Sequence, residues 1–133
     1  MARHLLVPMD GSEPARAALE HALSLFPDDE VTVLHAVDEL AAGYGGRSMD
    51  EALANEPDFF DDVRDLAESR GATVDLRLVE GATADAILEY ADEHDVDQIV
   101  IGSEGRSGVS RVLLGSIAEE VARRSTVPVT IVH

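Results

Sequence analysis

Short, continuous apolar runs alternate along this chain with segments whose apolar residues recur every three or four positions. The runs around Leu5-Leu6-Val7, Val31 to Val37, Thr73 to Val79, Asp97 to Ile101 and Val127 to Val132 read as strands. In the first, Leu5, Leu6 and Val7 form an unbroken apolar run, which is what a strand buried on both faces requires. Between them, helical spacing places Ala15, Ala18, Leu19, Ala22 and Phe26 on one stripe, and Phe60, Val63, Leu66 and Ala67 on a second. Ala84, Ile87, Leu88 and Ala91 form a third stripe, and Leu114, Ile117, Ala118 and Val121 a fourth. The order βαβαβαβαβ predicts an α/β fold, a parallel sheet with helices on both faces, over residues 1–133 as one domain without repeat or linker.

Turn and cap residues sharpen the boundaries. Strand one spans Arg3 to Met9 and ends at the turn Asp10-Gly11-Ser12, where Ser12 is the expected N-cap of the first helix, with Pro14 in its first turn and Pro27 as its stop. Gly71 stands where the second helix needs a C-terminal cap, and the third helix begins near Thr83. Residues 38–48, with Gly43, Gly45 and Gly46, predict a mobile connection, and residues 48–56 a further turn or two.

Charge adds a separate constraint. The chain carries 27 acidic residues against 10 basic ones, all arginine, for a net charge of −17. Self-repulsion on this scale is relieved when molar salt shortens the Debye length to roughly 3 Å, so a salt-rich cytoplasm, as in a halophile, is expected. A surface of this sign disfavours nucleic acid as a partner. No apolar run approaches the ~20 residues that span a bilayer, and the first residues carry too short an apolar stretch for a signal peptide, so a cytoplasmic, membrane-free protein is expected. The absence of cysteine excludes disulfides and thiolate chemistry. His4, His21, His35, His94 and His133 show no metal-ligand spacing, and His35 reads as a packed residue at a strand end.

In an open parallel sheet, ligands bind beyond the carboxyl ends of the strands, where neighbouring connections run to opposite faces. Two segments qualify here: Pro8-Met9-Asp10-Gly11-Ser12, and the stretch from Gly102 to Ser116. The latter contains Gly102, Gly105, Gly115 and Ser116 in the spacing Gly-x2-Gly-x9-Gly-Ser, running from a strand end to a helix start. Glycines there permit positive φ and let phosphate oxygens approach main-chain N–H groups, while the helix start supplies unpaired N–H groups and a positive dipole end. Asp10 is open to two readings, a turn or cap residue and a ligand residue. Arg106 and Arg111 are the nearest cations for a phosphate chain, and a solvated role fits them equally well; Glu104 reads as solvent-facing and Gly108 as turn chemistry. Asp58, Asp61, Asp62 and Asp65 read as a solvated helix face.

With that motif, the Pro-x-Asp-Gly-Ser turn, the strand end Leu34-His35-Ala36-Val37 and the closing Val127-Pro128-Val129-Thr130-Ile131-Val132, the chain resembles the universal stress proteins in their ATP-binding branch. The resemblance runs over essentially the whole length and implies a five-stranded sheet of order 3-2-1-4-5, of the adenine nucleotide alpha-hydrolase type. It also implies a homodimer paired through strand 127–132, which would cover an otherwise exposed apolar edge. By position it implies that Pro8, Met9 and Asp10 lie at the ribose and phosphates, with Asp10 at a metal. The Ala36 main chain would meet the adenine edge, and Gly102, Gly105, Arg106, Gly115, Ser116 and Ile117 the phosphates. ATP with Mg²⁺ is the implied ligand, with the cation neutralising charge that this acidic chain cannot. A regulatory, stress-response role follows, in which nucleotide sets dimer shape or the choice of a further protein partner. No Walker-type lysine and no evident base for water are present, so hydrolysis is expected to be slow at most. Two alternatives stay open: a nucleotide-free dimeric adaptor, and an adenylating or pyrophosphate-releasing enzyme, which would call for a Ser/Gly-rich loop directly after strand one.

Overall fold

The computed structural model describes residues 2–37, 56–103 and 114–133. Five strands form one parallel sheet: β1 (His4–Pro8), β2 (Glu30–Val37), β3 (Val74–Glu80), β4 (Gln98–Gly102) and β5 (Val129–Val132). Their order is β3-β2-β1-β4-β5, as the resemblance implied. The helices among the described residues are α1 (Glu13–Leu25), α2 (Phe59–Ser69), α3 (Thr83–Glu93) and α4 (Ser116–Arg124).

The alternation of side chains along β1 divides the core in two. Leu5 and Val7 join Val31, Val33 and Val100 beneath α1 and α2, while Leu6 joins Leu34, Ile99 and Ile101 beneath α3 and α4. Because β1 and β4 are buried from both sides, they carry the unbroken apolar runs that identified them. The connection from β1 runs to one face and the connection from β4 to the other, so a crevice opens between their carboxyl ends.

Local chemistry explains the boundaries. Ser12 caps α1, its Oγ accepting from the Ala15 N–H at 3.3 Å, with Pro14 in the first turn. At the end of α2, Gly71 takes φ +67 while the Ala72 N–H donates to the Ala67 carbonyl and the Gly71 N–H to that of Glu68, a Schellman closure. Asp58, just before α2, and Asp61, Asp62 and Asp65 within it are solvated, as expected. Ion pairs such as Arg64–Glu56 and Arg124–Asp85 are exposed at both ends, which limits each to about 0–1 kcal/mol. Hydrogen bonds to Glu56 and to Asp85, respectively, are the leading causes that raise these two guanidinium pKa values above the ordinary range.

Two helical stripes differ from expectation. In α3 the buried set includes Ala86 and Tyr90, while Leu88 is half-buried, because α3 packs against α4 as well as against the sheet. In the last stripe only Ala118 and Val121 are buried; Leu114 precedes α4, and both Leu114 and Ile117 are 37% exposed. They sit where the helix start overhangs the end of the sheet, so an apolar period there does not report core. The closing strand is shorter than the apolar run that announced it, starting at Val129 and half-buried throughout. The expectations for residues 38–48 and 48–55 lie outside the described residues. No described helix is long and apolar enough to cross a membrane.

Candidate functional site

The crevice at the carboxyl ends of β1 and β4 encloses about 290 Å³, close to the lower end of the range for small-molecule sites, roughly 300–1,000 Å³. Eight of the ten residues expected there line it: Pro8, Met9 and Asp10 from the end of β1, Ala36 from β2, Gly102 from β4, and Gly115, Ser116 and Ile117 at the start of α4. Gly105 and Arg106 lie outside the described residues, as do Glu104, Gly108 and Arg111. The structure therefore brings together segments more than 100 positions apart in sequence.

The turn after β1 is internally organised. Asp10 Oδ1 accepts from the Ser12 N–H at 2.9 Å, so the turn-forming reading of this carboxylate is realised. Oδ2 has no partner among the described residues, which leaves it available to a ligand as well. Gly11 takes φ +82, and a Cβ built on it would lie 2.7 Å from Phe59 Cδ2; this glycine answers to both backbone and packing. His35 is a packed strand-end residue: its Nδ1 lies 2.8 Å from the Met9 carbonyl and its ring meets Phe59 edge-on at 5.0 Å.

At Ala36 the sheet itself supplies recognition groups. Successive residues of a parallel strand turn their main-chain groups to alternate neighbours. The Leu34 carbonyl accepts from the Met9 N–H on the β1 side, and the Val37 carbonyl accepts from the Gly81 N–H on the β3 side. Alternation therefore returns the Ala36 N–H and C=O to the β1 side, where β1, whose Pro8 pairs with Leu34, has already ended. A donor and an acceptor thus face the crevice two residues beyond the end of the β1–β2 ladder.

The start of α4 overturns one part of the reasoning about its glycines. Neither Gly102 nor Gly115 has a positive φ; Gly115 sits at φ −65 and ψ 155, which any residue adopts. Gly102 is required by packing, since a Cβ there would lie 2.6 Å from the Pro14 carbonyl carbon and 2.8 Å from the Ala15 nitrogen. The Gly115 N–H is already taken by the Ser103 carbonyl at 2.6 Å, which ties the helix start to the end of β4. The donors left at this helix start are the N–H groups of Ser116, Ile117 and Ala118, which no side chain caps and which lack partners among the described residues.

The family-level comparison decides the lineage: the model of the universal stress protein family matches residues 1–133. The chain belongs to the universal stress protein family. It is 32% identical over 138 residues to universal stress protein MJ0531 of Methanocaldococcus jannaschii, an alignment covering 98% of this chain and 81% of that one. The solved structure of MJ0577, a universal stress protein of the same organism, superposes with a TM-score of 0.81 at 28% identity, covering 99% of this chain and 96% of that one. A universal stress protein solved in complex with cAMP superposes with a TM-score of 0.74 at 31% identity, covering 98% of this chain and 97% of that one.

Several residues lining the crevice were not among those singled out. Thr83 at the start of α3 and Ile87 one turn further on close its β2 side, and Ala118 joins the α4 side. Thr83 was findable, because it opens the helix after β3 as Ser116 opens the one after β4. Among the described residues no group of three or more His, Asp or Glu could hold a metal ion, and of the described residues lining the crevice Asp10 is the one carboxylate.

Proposed function

We propose that this universal stress protein binds an adenine nucleotide, ATP with Mg²⁺, in the crevice, and acts as a nucleotide-responsive regulator rather than as a rapid enzyme. The observation carrying this reading is a pair of helix N-caps at one edge of the sheet. Ser12 and Gly115 have nearly the same backbone conformation, φ −77, ψ 161 and φ −65, ψ 155. Only Ser12 brings a side chain to satisfy its helix. With conformation excluded as the reason for glycine at 115, the gain is an open approach to the N–H groups of Ser116, Ile117 and Ala118, a suitable seat for a phosphate. The complex of a relative with cAMP supports an adenine nucleotide as the ligand class.

The residues present fit both groups. The Ala36 donor and acceptor suit the edge of an adenine, with Ile87 and Ile101 supplying apolar walls for the base. Mg²⁺ keeps most of its ligands as water and phosphate and needs only one or two carboxylates, which Asp10 matches. Bound Mg²⁺ would neutralise phosphate charge beside a chain of net charge −17. No side chain among the described crevice residues is placed as a lysine clamp on the phosphates, consistent with ADP release slower than about one turnover per second. The half-buried edge strand β5 supports homodimer formation through residues 127–132, and the charge excess supports life in a salt-rich cytoplasm.

The deciding measurement is Mg·ATP affinity by calorimetry in molar KCl for wild type and Gly115→Val. Valine adopts the observed φ and ψ without backbone strain, and its branched Cβ would cover the helix start, the melting temperature reporting whether the fold is kept. Affinity should fall at least tenfold, about 1.4 kcal/mol. An unchanged affinity, with the melting temperature also unchanged, moves the site elsewhere.

A further inference from the structure

A second cavity, of about 380 Å³, lies between α1 and α2 on the other side of the Met9–Ser12 turn. Its floor is apolar, made by Leu19, Val63 and Leu66 with the ring of Phe59, and its rim carries Glu13, Asp62 and Arg16. The nucleotide reading leaves this space unused. We propose that it binds a small organic cation with an apolar body, such as an aryl- or alkyl-ammonium ion.

Charge decides the sign of the occupant. Arg16 is turned along α1, its Nε donating to Glu20 Oε1 at 3.3 Å, so it is engaged away from the two carboxylates of the rim. Glu13 and Asp62 take part in no ion pair among the described residues. The starts of α1 and α2 oppose a cation with roughly half a positive charge each. Glu13 and Asp62, together with Asp10 and Asp58 just before the two helices, outweigh that. An anion would meet this excess directly, and a neutral apolar molecule would leave both rim carboxylates without a counter-charge. Leu19, Val63 and Leu66 are themselves buried, so the apolar contribution comes from the part-exposed ring of Phe59, whose face a ligand would withdraw from water.

The test uses the full chain without nucleotide, so it stands apart from the fate of the ATP site, at the lowest KCl concentration at which circular dichroism shows the fold intact. The probe is phenethylammonium chloride, compared with 2-phenylethanol and phenylacetate and followed by amide chemical shifts. Shifts should concentrate in residues 11–19 and 59–66, with a millimolar Kd and binding of the alcohol and the anion at least about threefold weaker, the scale of one partly exposed ion pair. Asp62→Asn should weaken the cation by about threefold, while Asp65→Asn, an exposed carboxylate of the same helix outside the cavity, should leave it unchanged. The proposal is overturned by the absence of saturable shifts or by shifts centred elsewhere. Equal affinity for the alcohol overturns it too, as does an equal loss in the Asp65 variant, which would reduce the effect to general attraction by an acidic surface.

Discussion

The starts of α1 and α4 stand side by side at the carboxyl edge of the sheet and are finished in opposite ways. At α1 the Asp10 carboxylate takes the Ser12 N–H, the Ser12 hydroxyl takes the Ala15 N–H, and Pro14 has no N–H to satisfy. At α4 the N-cap is glycine and the donors of Ser116, Ile117 and Ala118 are left over. A helix end of the first kind contributes to stability, whereas one of the second kind, capped by glycine, gives up roughly a few tenths of a kcal/mol of capping energy and gains an anion seat. Position in the fold made both ends eligible for a ligand; capping chemistry separates them.

The largest effect should come from a glycine of the same motif that serves packing instead. Gly102→Ala puts a methyl group 2.6 Å from the Pro14 carbonyl carbon and 2.8 Å from its oxygen, atoms of the α1 backbone that cannot rotate aside. The first turn of α1 must lift from the end of β4, at a cost of about 3 kcal/mol. Thermal denaturation should show a melting temperature lower by about 10 °C. A melting temperature within a degree of wild type would mean that α1 and β4 are less closely joined than 2.6 Å implies.

Much of this was legible beforehand, for reasons that differ by element. The central strands β1 and β4 announced themselves because burial on two faces demands continuous apolar runs, whereas the edge strand β3 alternates, and the sheet order came with the motif carried by Gly102, Gly115 and Ser116. The reasons for the glycines were not legible. One letter stands for freedom of φ at Gly11, for the closeness of Pro14 at Gly102 and for an omitted cap at Gly115, and only coordinates tell these apart. Leu114 and Ile117 misled for a related reason: a helical period identifies a face, not whether that face meets a sheet or overhangs a crevice. Thr83 was read only as a helix start because a single glycine, Gly81, precedes it instead of the repeated glycines that follow β4, although the same topological rule places it at the site.

An intermediate effect is expected at the capped end. Ser12→Ala removes the acceptor for the Ala15 N–H while leaving the Asp10 turn in place, and should lower stability by about 1 kcal/mol in denaturant titrations. Mg·ATP affinity should change far less than in Gly115→Val, because the Ser12 hydroxyl is already committed to its own helix. If nucleotide binding instead collapsed in Ser12→Ala while stability held, the Ser12 side chain would have to leave its cap for the ligand, and the contrast between the two helix starts would disappear.

The smallest change is also the one that most directly interconverts the two ends. Gly115→Ser places a hydroxyl at φ −65 and ψ 155, close to the conformation in which Ser12 already caps α1. The new side chain can accept from the Ala118 N–H as Ser12 accepts from Ala15, so stability should rise, though only by a few tenths of a kcal/mol, the usual margin of serine over glycine at this position. The same bond withdraws one of the three free donors from a phosphate. Affinity for Mg·ATP should therefore fall to a value between those of wild type and Gly115→Val, since the hydroxyl is smaller than valine and can turn its own hydrogen toward the ligand. Opposite signs in the two measurements are the decisive feature. A general loss of packing would lower both, and a helix start with no part in binding would gain stability at no expense in affinity.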